Sequence, residues 1–243
     1  MYDEEYFHGA AKGFGYIDYE KNKKPMKGAF VRSLRFVEKL KTTAAKRLLD
    51  IGASTGYLMR LAAERGWETV GIEISSYATS CARKAGSDVH QGTLETVKLP
   101  PESFSAITLF DVFEHFRDPL LSLRTCHALL QHGGVLCINT PTADSVWARI
   151  FGREWHAILP PEHLFLFNRR NLTRLLRRTG FEVVLTTKIG KKFSLPYILQ
   201  IASHWRDSAF LKKLADRMSA GVMGRIGIPL NLRDNVFVVA RKL

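Results

Sequence analysis

The stretch Arg47-Leu48-Leu49-Asp50-Ile51-Gly52-Ala53-Ser54-Thr55-Gly56-Tyr57 decides how this chain is read. Its first five residues form a run of strand length with an acidic residue near its end. Small residues follow from Gly52 to Gly56, and Tyr57 to Arg65 is helical in pattern until Gly66. A buried strand that runs into a tight turn of small residues lets a ligand approach the backbone closely. The start of the next helix presents N–H groups that lack intrahelical acceptors, an arrangement suited to a carboxylate.

The alternation continues outward from this segment. The pattern predicts a strand over Thr69–Ile74, a helix over Ser76–Ala85 and a short strand near Val89. A strand at Ala106–Phe110, a helix at Leu120–Leu130 and a strand at Val135–Asn139 follow, the last after the Gly133-Gly134 turn. A helix over Arg169–Thr179, capped by Asn168 and stopped by Gly180, leads into a strand at Phe181–Thr187. Val236–Ala240 reads as a buried last strand. Upstream, Pro25 opens a helix in which Phe30, Leu34, Val37 and Leu40 recur at helical spacing. Strands and helices in this order imply right-handed crossovers and an α/β, doubly wound, mostly parallel sheet.

We expect one domain over 1–243. Residues 1–45 form an N-terminal arm and helix, and Tyr6, Phe7 and Tyr16 would give the arm an aromatic cover. Two insertions break the alternation, one over 141–167 and one over 191–234. Ligands in open α/β sheets bind beyond the carboxyl ends of the strands. The first insertion starts at such an end and is placed to shape an acceptor pocket.

Composition sets bounds on the chemistry. Hydrophobic residues make up 46% of the 243 residues, enough for a sizeable core, so wholesale disorder is excluded. The formal charge of +13 favours anionic partners but is also compatible with a merely solvated surface. Cys81, Cys126 and Cys137 stand far apart without a CxxC pair, which fits neither a disulfide framework nor a zinc site. They read as small buried hydrophobes. No signal-peptide core and no apolar run of membrane-spanning length is visible, so a cytoplasmic location is expected.

Glu73 closes the second strand in Val70-Gly71-Ile72-Glu73-Ile74. A carboxylate at that place can accept two hydrogen bonds from ribose hydroxyls. With Asp50, Gly52 and Gly56 in the first turn, the chain resembles the class I S-adenosylmethionine-dependent methyltransferases, in particular their small-molecule group. The likeness runs from about Leu48 to Phe181 and resumes at the last strand. Ser54 stands where that family's middle glycine usually is. The resemblance implies a seven-stranded, Rossmann-like sheet and S-adenosylmethionine as cofactor. It also implies that Asp50, Gly52, Ala53, Ser54 and Gly56 face the methionine part and Glu73, with Ile74, the ribose side. Thr93 and Leu94 would flank the adenine, and Asp111 with Val112 would end the fourth strand beside the cofactor.

Three other readings compete. Gly52-Ala53-Ser54-Thr55-Gly56 spells G-x-S-x-G, the nucleophile elbow of α/β-hydrolases. The elbow normally follows several strands, however, and here it follows the first clear one. A nicotinamide-dependent oxidoreductase would want G-x-G-x-x-G, and the loop lacks that second glycine. A cofactor-binding domain without turnover is the third, although acid–base candidates are plentiful.

Methyl transfer from a sulfonium is an in-line displacement governed by alignment, and an oxygen acceptor also benefits from a base. His115, after Glu114 beyond the fourth strand, and His163, in Pro160-Pro161-Glu162-His163-Leu164, are the candidate catalytic residues. Either could instead be a structural histidine, one bracing the loop and the other capping a helix. Trp147, Trp155 and His156 lie in the same insertion. Glu114, His115 and Asp118 would be the residues of a divalent-metal site, but adjacent Glu and His do not easily point the same way, and no metal is expected.

The expected acceptor is a small molecule, a glycan or a lipid-linked intermediate, methylated on oxygen. Nucleic acid is not favoured, because no RNA-binding module is evident. Arg169, Arg170, Arg174, Arg177 and Arg178 crowd one helix, and residues 191–234 mix apolar and basic positions. The second insertion fits a lid helix with a solvated face or an interfacial helix on an anionic membrane, which would make the protein peripheral at the inner membrane surface. Oligomeric state is not written in the sequence.

Overall fold

In the computed structural model, residues 26–155, 157–194, 227–230 and 234–243 are described, with isolated helical positions at 199, 210, 213, 214, 217 and 218. The aromatic arm, His156 and most of the second insertion lie outside these residues. Two compact units are present. The larger spans 32–189 and 232–243 and holds the main sheet; the smaller spans 1–31 and 190–231.

In chain order the described elements begin with α1 (Lys27–Leu40), β1 (Arg47–Ile51), α2 (Tyr57–Ala63) and β2 (Glu68–Glu73). Then come α3 (Ser76–Lys84), β3 (Asp88–Gln91), β4 (Phe104–Phe110), α4 (Pro119–Leu129) and β5 (Leu130–Pro141). The first insertion carries α5 (Val146–Phe151), and α6 (Arg169–Arg178) and β6 (Phe181–Thr187) follow it. β7 (Lys191–Ser194) pairs antiparallel with β8 (Gly227–Leu230) as a separate two-stranded ladder of the smaller unit, and β9 is Asn235–Lys242. The β7–β8 ladder was not anticipated, because its strands are short and lie 32 residues apart with no linking turn signature.

The main sheet has seven strands in the order β3-β2-β1-β4-β5-β9-β6. Every pairing from β3 to β5 is parallel, while β9 runs antiparallel to both β5 and β6. The result is the doubly wound α/β sheet that the sequence pattern predicts. Burial on both faces explains why β1, β4 and β9 read as continuous apolar runs. Leu49, Ile107, Leu136 and Val238, one from each of four adjacent strands, share the main core with Leu172 and Leu176 of α6.

Local chemistry sets the element ends. The Ser75 hydroxyl accepts from Ala78 N and caps α3, and Asp118 accepts from Leu120 and Leu121 N and caps α4 with Pro119 in its first turn. Asn168 and Asn171 form a reciprocal capping box at the start of α6. β5 begins five residues earlier than the sequence suggests, because Leu130 pairs with Phe104 across a register irregularity. Cys126 and Cys137 are buried, and burial pushes the Cys126 thiol up to about 12 and the Cys137 thiol up as well, so both stay protonated at neutral pH. Cys81 departs from expectation in being only partly buried on α3.

Gly71 lies in mid-β2, where a Cβ would stand 2.7 Å from Met59 Sδ and 2.8 Å from Ala53 Cβ. The strand therefore passes directly under the β1–α2 turn. Gly71→Ala should cost about 1–3 kcal/mol by overpacking. Thermal unfolding checks this, and an unchanged midpoint would mean that the turn is looser than drawn.

Candidate active site

The strand order reverses between β1 and β4, since the chain builds β2 and β3 on one side of β1 before returning to β4 on the other. Open α/β sheets bind ligands at such a switch point. The turns that leave the two strands meet there: a Cβ on Gly52 would lie 3.0 Å from Val112 Cγ2. Gly52 and Gly56 both take φ +76°, and Ser54 takes φ +50°. This left-handed backbone favours glycine at the first two positions and strains the serine.

Backbone bonds hold the β1–α2 turn against β2. Gly52 N and Ala53 N donate to Ile72 O at 2.8 and 3.0 Å, and Gly56 N donates to Ala53 O at 2.9 Å. Gly56 is the N-cap of α2 and offers no side chain to the N–H groups there. Asp50, buried at the end of β1, accepts the Thr108 hydroxyl proton at 2.6 Å, which ties β1 to β4 beneath the turn. One oxygen of the Asp50 carboxylate is thereby held by the neighbouring strand.

Glu73 is 8% exposed and accepts two backbone hydrogen bonds, from Ser54 N to Oε2 and from Ser75 N to Oε1, both at 2.8 Å. A carboxylate oxygen has two lone pairs, so each retains capacity for a ligand hydroxyl. Burial pushes the Glu73 carboxyl above its usual range, opposed by the N–H groups of Ser75, Ser54 and Ile74. Ile74 beside it is exposed and presents apolar surface. Thr93 sits in a turn tied by Thr96, whose hydroxyl accepts from Thr93 N at 2.9 Å. Leu94 packs its side chain into the main core, so only its backbone borders the turn.

At the end of β4, Asp111 has φ +55°, and its N–H donates to Asn139 O at 2.8 Å. Asp111 Oδ1 accepts from Asn139 Nδ2 at 2.8 Å and Asn235 Nδ2 at 3.3 Å. The sequence reading missed both asparagines. Asn139 lies near the end of β5, opposite Phe110, and Asn235 opens the antiparallel β9, so only the sheet topology brings them to Asp111.

A short 3-10 turn, Phe113–His115, follows directly. Leu164 N and Phe165 N donate to Glu114 O at 2.9 and 3.2 Å, which draws the first insertion onto this turn. The rings of His115 and His163 thereby meet edge-to-face, 4.8 Å between centroids. His115 Nδ1 lies 2.9 Å from Glu162 O, and His163 Nδ1 lies 2.7 Å from Ala157 O. A carbonyl only accepts, so each Nδ1 carries the proton and each Nε2 carries the lone pair when the ring is neutral.

Burial, with His163 close by, lowers the His115 pKa below the usual imidazole value, against smaller raising effects of Glu162 O and Asp111. A lowered folded value means that stability contributed by neutral His115 is present above the ordinary value. It is lost as pH falls from there through the lowered one. His115→Gln should therefore flatten the acid side of the stability profile between those values. Unfolding midpoints at stepped pH measure this, and a profile parallel to that of the unaltered chain would contradict it.

The Glu114 side chain is 1% exposed and accepts the Thr140 hydroxyl proton at 2.8 Å. Ligand atoms of Glu114, His115 and His163 all lie within 4.8 Å of one another. Asp118 is occupied as the cap of α4. The set of groups that a cation could find here is therefore Glu114, His115 and His163. The Ser54 hydroxyl is buried without a hydrogen-bond partner among the described residues. A hydrolase nucleophile needs a base within reach, so the nucleophile-elbow reading loses its chemistry.

The site fits S-adenosylmethionine. Its turn offers close backbone approach without a phosphate cradle, an acidic residue ends β2, and an apolar side chain lies next to that carboxylate. Comparison with known proteins agrees. A methyltransferase-domain family model matches residues 24–186, well over half of the chain, and the chain belongs to that family. It is 26% identical over 211 residues to a ubiquinone biosynthesis O-methyltransferase from Marinobacter nauticus, covering 76% of this chain and 87% of that one. A Mycolicibacterium smegmatis protein named as a probable S-adenosylmethionine-dependent methyltransferase is 30% identical over 142 residues, 58% of this chain and 53% of that one. The fold matches an S-adenosylmethionine-dependent methyltransferase structure from Thermotoga maritima with a TM-score of 0.58 at 20% identity, covering 93% and 94% of the two chains. The protein is an S-adenosylmethionine-dependent methyltransferase of the class I fold.

Proposed function

We propose that this methyltransferase methylates a hydroxyl oxygen of a small, lipid-linked acceptor, with His163 as the base. The observation that carries the reading is the tautomer of the His115–His163 pair, fixed at Nδ1 by two backbone carbonyls. Nε2 of His163 is then ready to take the acceptor's proton as the oxygen attacks the methyl group. His115, held neutral by burial and by its neighbour, resists a second positive charge and so does not compete for that proton. The bound cofactor supplies an electrophilic methyl group on a sulfonium. Glu73 and the β1–α2 turn would orient it.

Small-molecule acceptors are supported by the Marinobacter relative, whose name places it in ubiquinone biosynthesis as an O-methyltransferase. Methyl-labelled S-adenosylmethionine with small phenolic and lipid-linked hydroxy compounds tests the reading. Label in an ether product is expected, and label on a nitrogen or carbon acceptor alone would overturn oxygen as the acceptor atom.

A second reading rests on Glu114, His115 and His163 as a cation site in which the metal binds the acceptor oxygen. The two readings part under chelation. If His163 is the base, exhaustive treatment with a chelator leaves kcat unchanged. Loss of turnover that magnesium or manganese restores would move the role to a bound cation.

A further inference from the structure

We propose that the first insertion and the start of α6 form a docking surface for an anionic lipid bilayer. α5 is a six-residue helix with no buried residue. A helix that short is not stable in water by itself. The Ser145 hydroxyl caps its start by accepting from Ala148 N at 2.9 Å, and Gly152 N closes its end on Ala148 O. Val146 and Ile150, one helical turn apart, are 65% and 66% exposed. Ile158, Leu164 and Phe165 of the same insertion are also exposed. A cluster of large aliphatic and aromatic side chains left in water within one short segment calls for a partner surface.

The adjoining element supplies charge. Asp144, just before α5, accepts from Arg169 N at 2.8 Å, and Ala143 N donates to Phe167 O at 2.8 Å, so the starts of α5 and α6 are tied together. α6 reads RRNLTRLLRR, with five arginines and no acid, and all five arginines are exposed. Among the described residues no acidic side chain forms an ion pair with any of them. Arg169 and Arg170 stand at the positive end of the helix dipole, and Arg170, Arg174 and Arg178 repeat at like-charge i, i+4 spacing. This arrangement opposes the helix's own stability and is relieved by a surface of negative charge.

Apolar side chains beside a basic helix are the two signals that together hold a protein at an anionic membrane. The other occupants fit less well. A second copy would set one arginine row against another. A nucleic acid would engage the arginines but leave Val146 and Ile150 in water. His163 precedes Leu164 in this same segment, so docking would bring the proposed base close to the bilayer surface. The docking proposal itself does not depend on the identity of the acceptor.

The test is vesicle co-sedimentation of the full chain, with phosphatidylcholine vesicles containing about one third phosphatidylglycerol and with phosphatidylcholine alone. The unaltered protein should bind the anionic vesicles and release them in high salt. Each basic residue near such a surface contributes roughly five-fold, so Arg170→Glu/Arg174→Glu/Arg177→Glu should weaken binding by about a hundredfold or more. Ile150→Asp, which alters a residue outside the core, should weaken it by about ten-fold, since it replaces an exposed apolar side chain with a charge. S-adenosylhomocysteine affinity should not change in either variant, which shows that the fold and cofactor site are intact. Equal binding of the variants and the unaltered chain, no preference for anionic vesicles, or tighter binding to an oligonucleotide than to the vesicles would overturn the proposal.

Discussion

Glu73→Ala lowers the affinity for S-adenosylmethionine by about 100-fold or more, the largest single effect expected on cofactor binding. Charged hydrogen bonds are worth ~1.5–3 kcal/mol each, and two ribose hydroxyls would be lost as donors to this carboxylate. The substitution also releases Ser54 N and Ser75 N, which Glu73 holds at 2.8 Å, so the β1–α2 turn loses its tie to the end of β2. Glu73→Gln separates the two effects: it keeps the volume but has one acceptor oxygen for the two N–H groups. Isothermal titration with S-adenosylhomocysteine measures both variants.

Because burial raises the Glu73 pKa, cofactor affinity should fall as the pH drops through that raised value, at a higher pH than for an ordinary carboxylate. The stability term runs the other way. A raised folded value contributes stability that is full below the ordinary value and lost as pH rises through the raised one. Ionising the desolvated Glu73 therefore costs the cofactor-free fold stability. An affinity independent of pH across the acid range would mean that the carboxylate does not meet the ligand.

His163→Ala should lower kcat by about 10²–10⁴-fold, the range for loss of a positioned general base, while cofactor affinity stays within about two-fold. His163→Gln should not rescue it, since an amide cannot take the proton. His115→Gln should cost less, because His115 packs edge-to-face on the base, 4.8 Å away between ring centres, and does not itself take the proton. Single-turnover rates on an oxygen acceptor would decide this. Equal losses for the two variants would make the pair a joint structural or metal-binding unit instead of a base and its support.

Much of the fold was legible because its signals are local. The run from Arg47 to Gly56 states a strand, a turn and a helix in consecutive residues, and β1 and β6 lie where the periodicity put them. Asn168 at the cap of α6 and Gly180 after it are similarly local marks. The early start of β5 was not legible, because Gln131 and His132 are polar and their place is set by pairing across the sheet. The β7–β8 ladder depends on residues far apart in the chain and carries no hairpin signature.

The candidate site divides along the same line. Gly52, Gly56 and Glu73 could be read from spacing, since one turn and one strand end hold them. The meeting of His115 with His163 spans 48 positions and hangs on two backbone bonds to Glu114 O, which no side-chain pattern announces. Asn139 reaches Asp111 because β5 pairs parallel with β4, and Asn235 because β9 runs antiparallel to β5. Thr108 under Asp50 likewise belongs to a neighbouring strand. Contacts across the sheet were therefore the part that required the structure.

The most direct test of the account incubates the purified protein with methyl-labelled S-adenosylmethionine and a cell extract divided into lipid, glycan, nucleic-acid and small-molecule fractions. The account predicts label in a lipid or small-molecule hydroxyl compound, lost with Glu73→Ala and with His163→Ala. Label confined to nucleic acid, or transfer that persists in the Glu73→Ala protein, would contradict it.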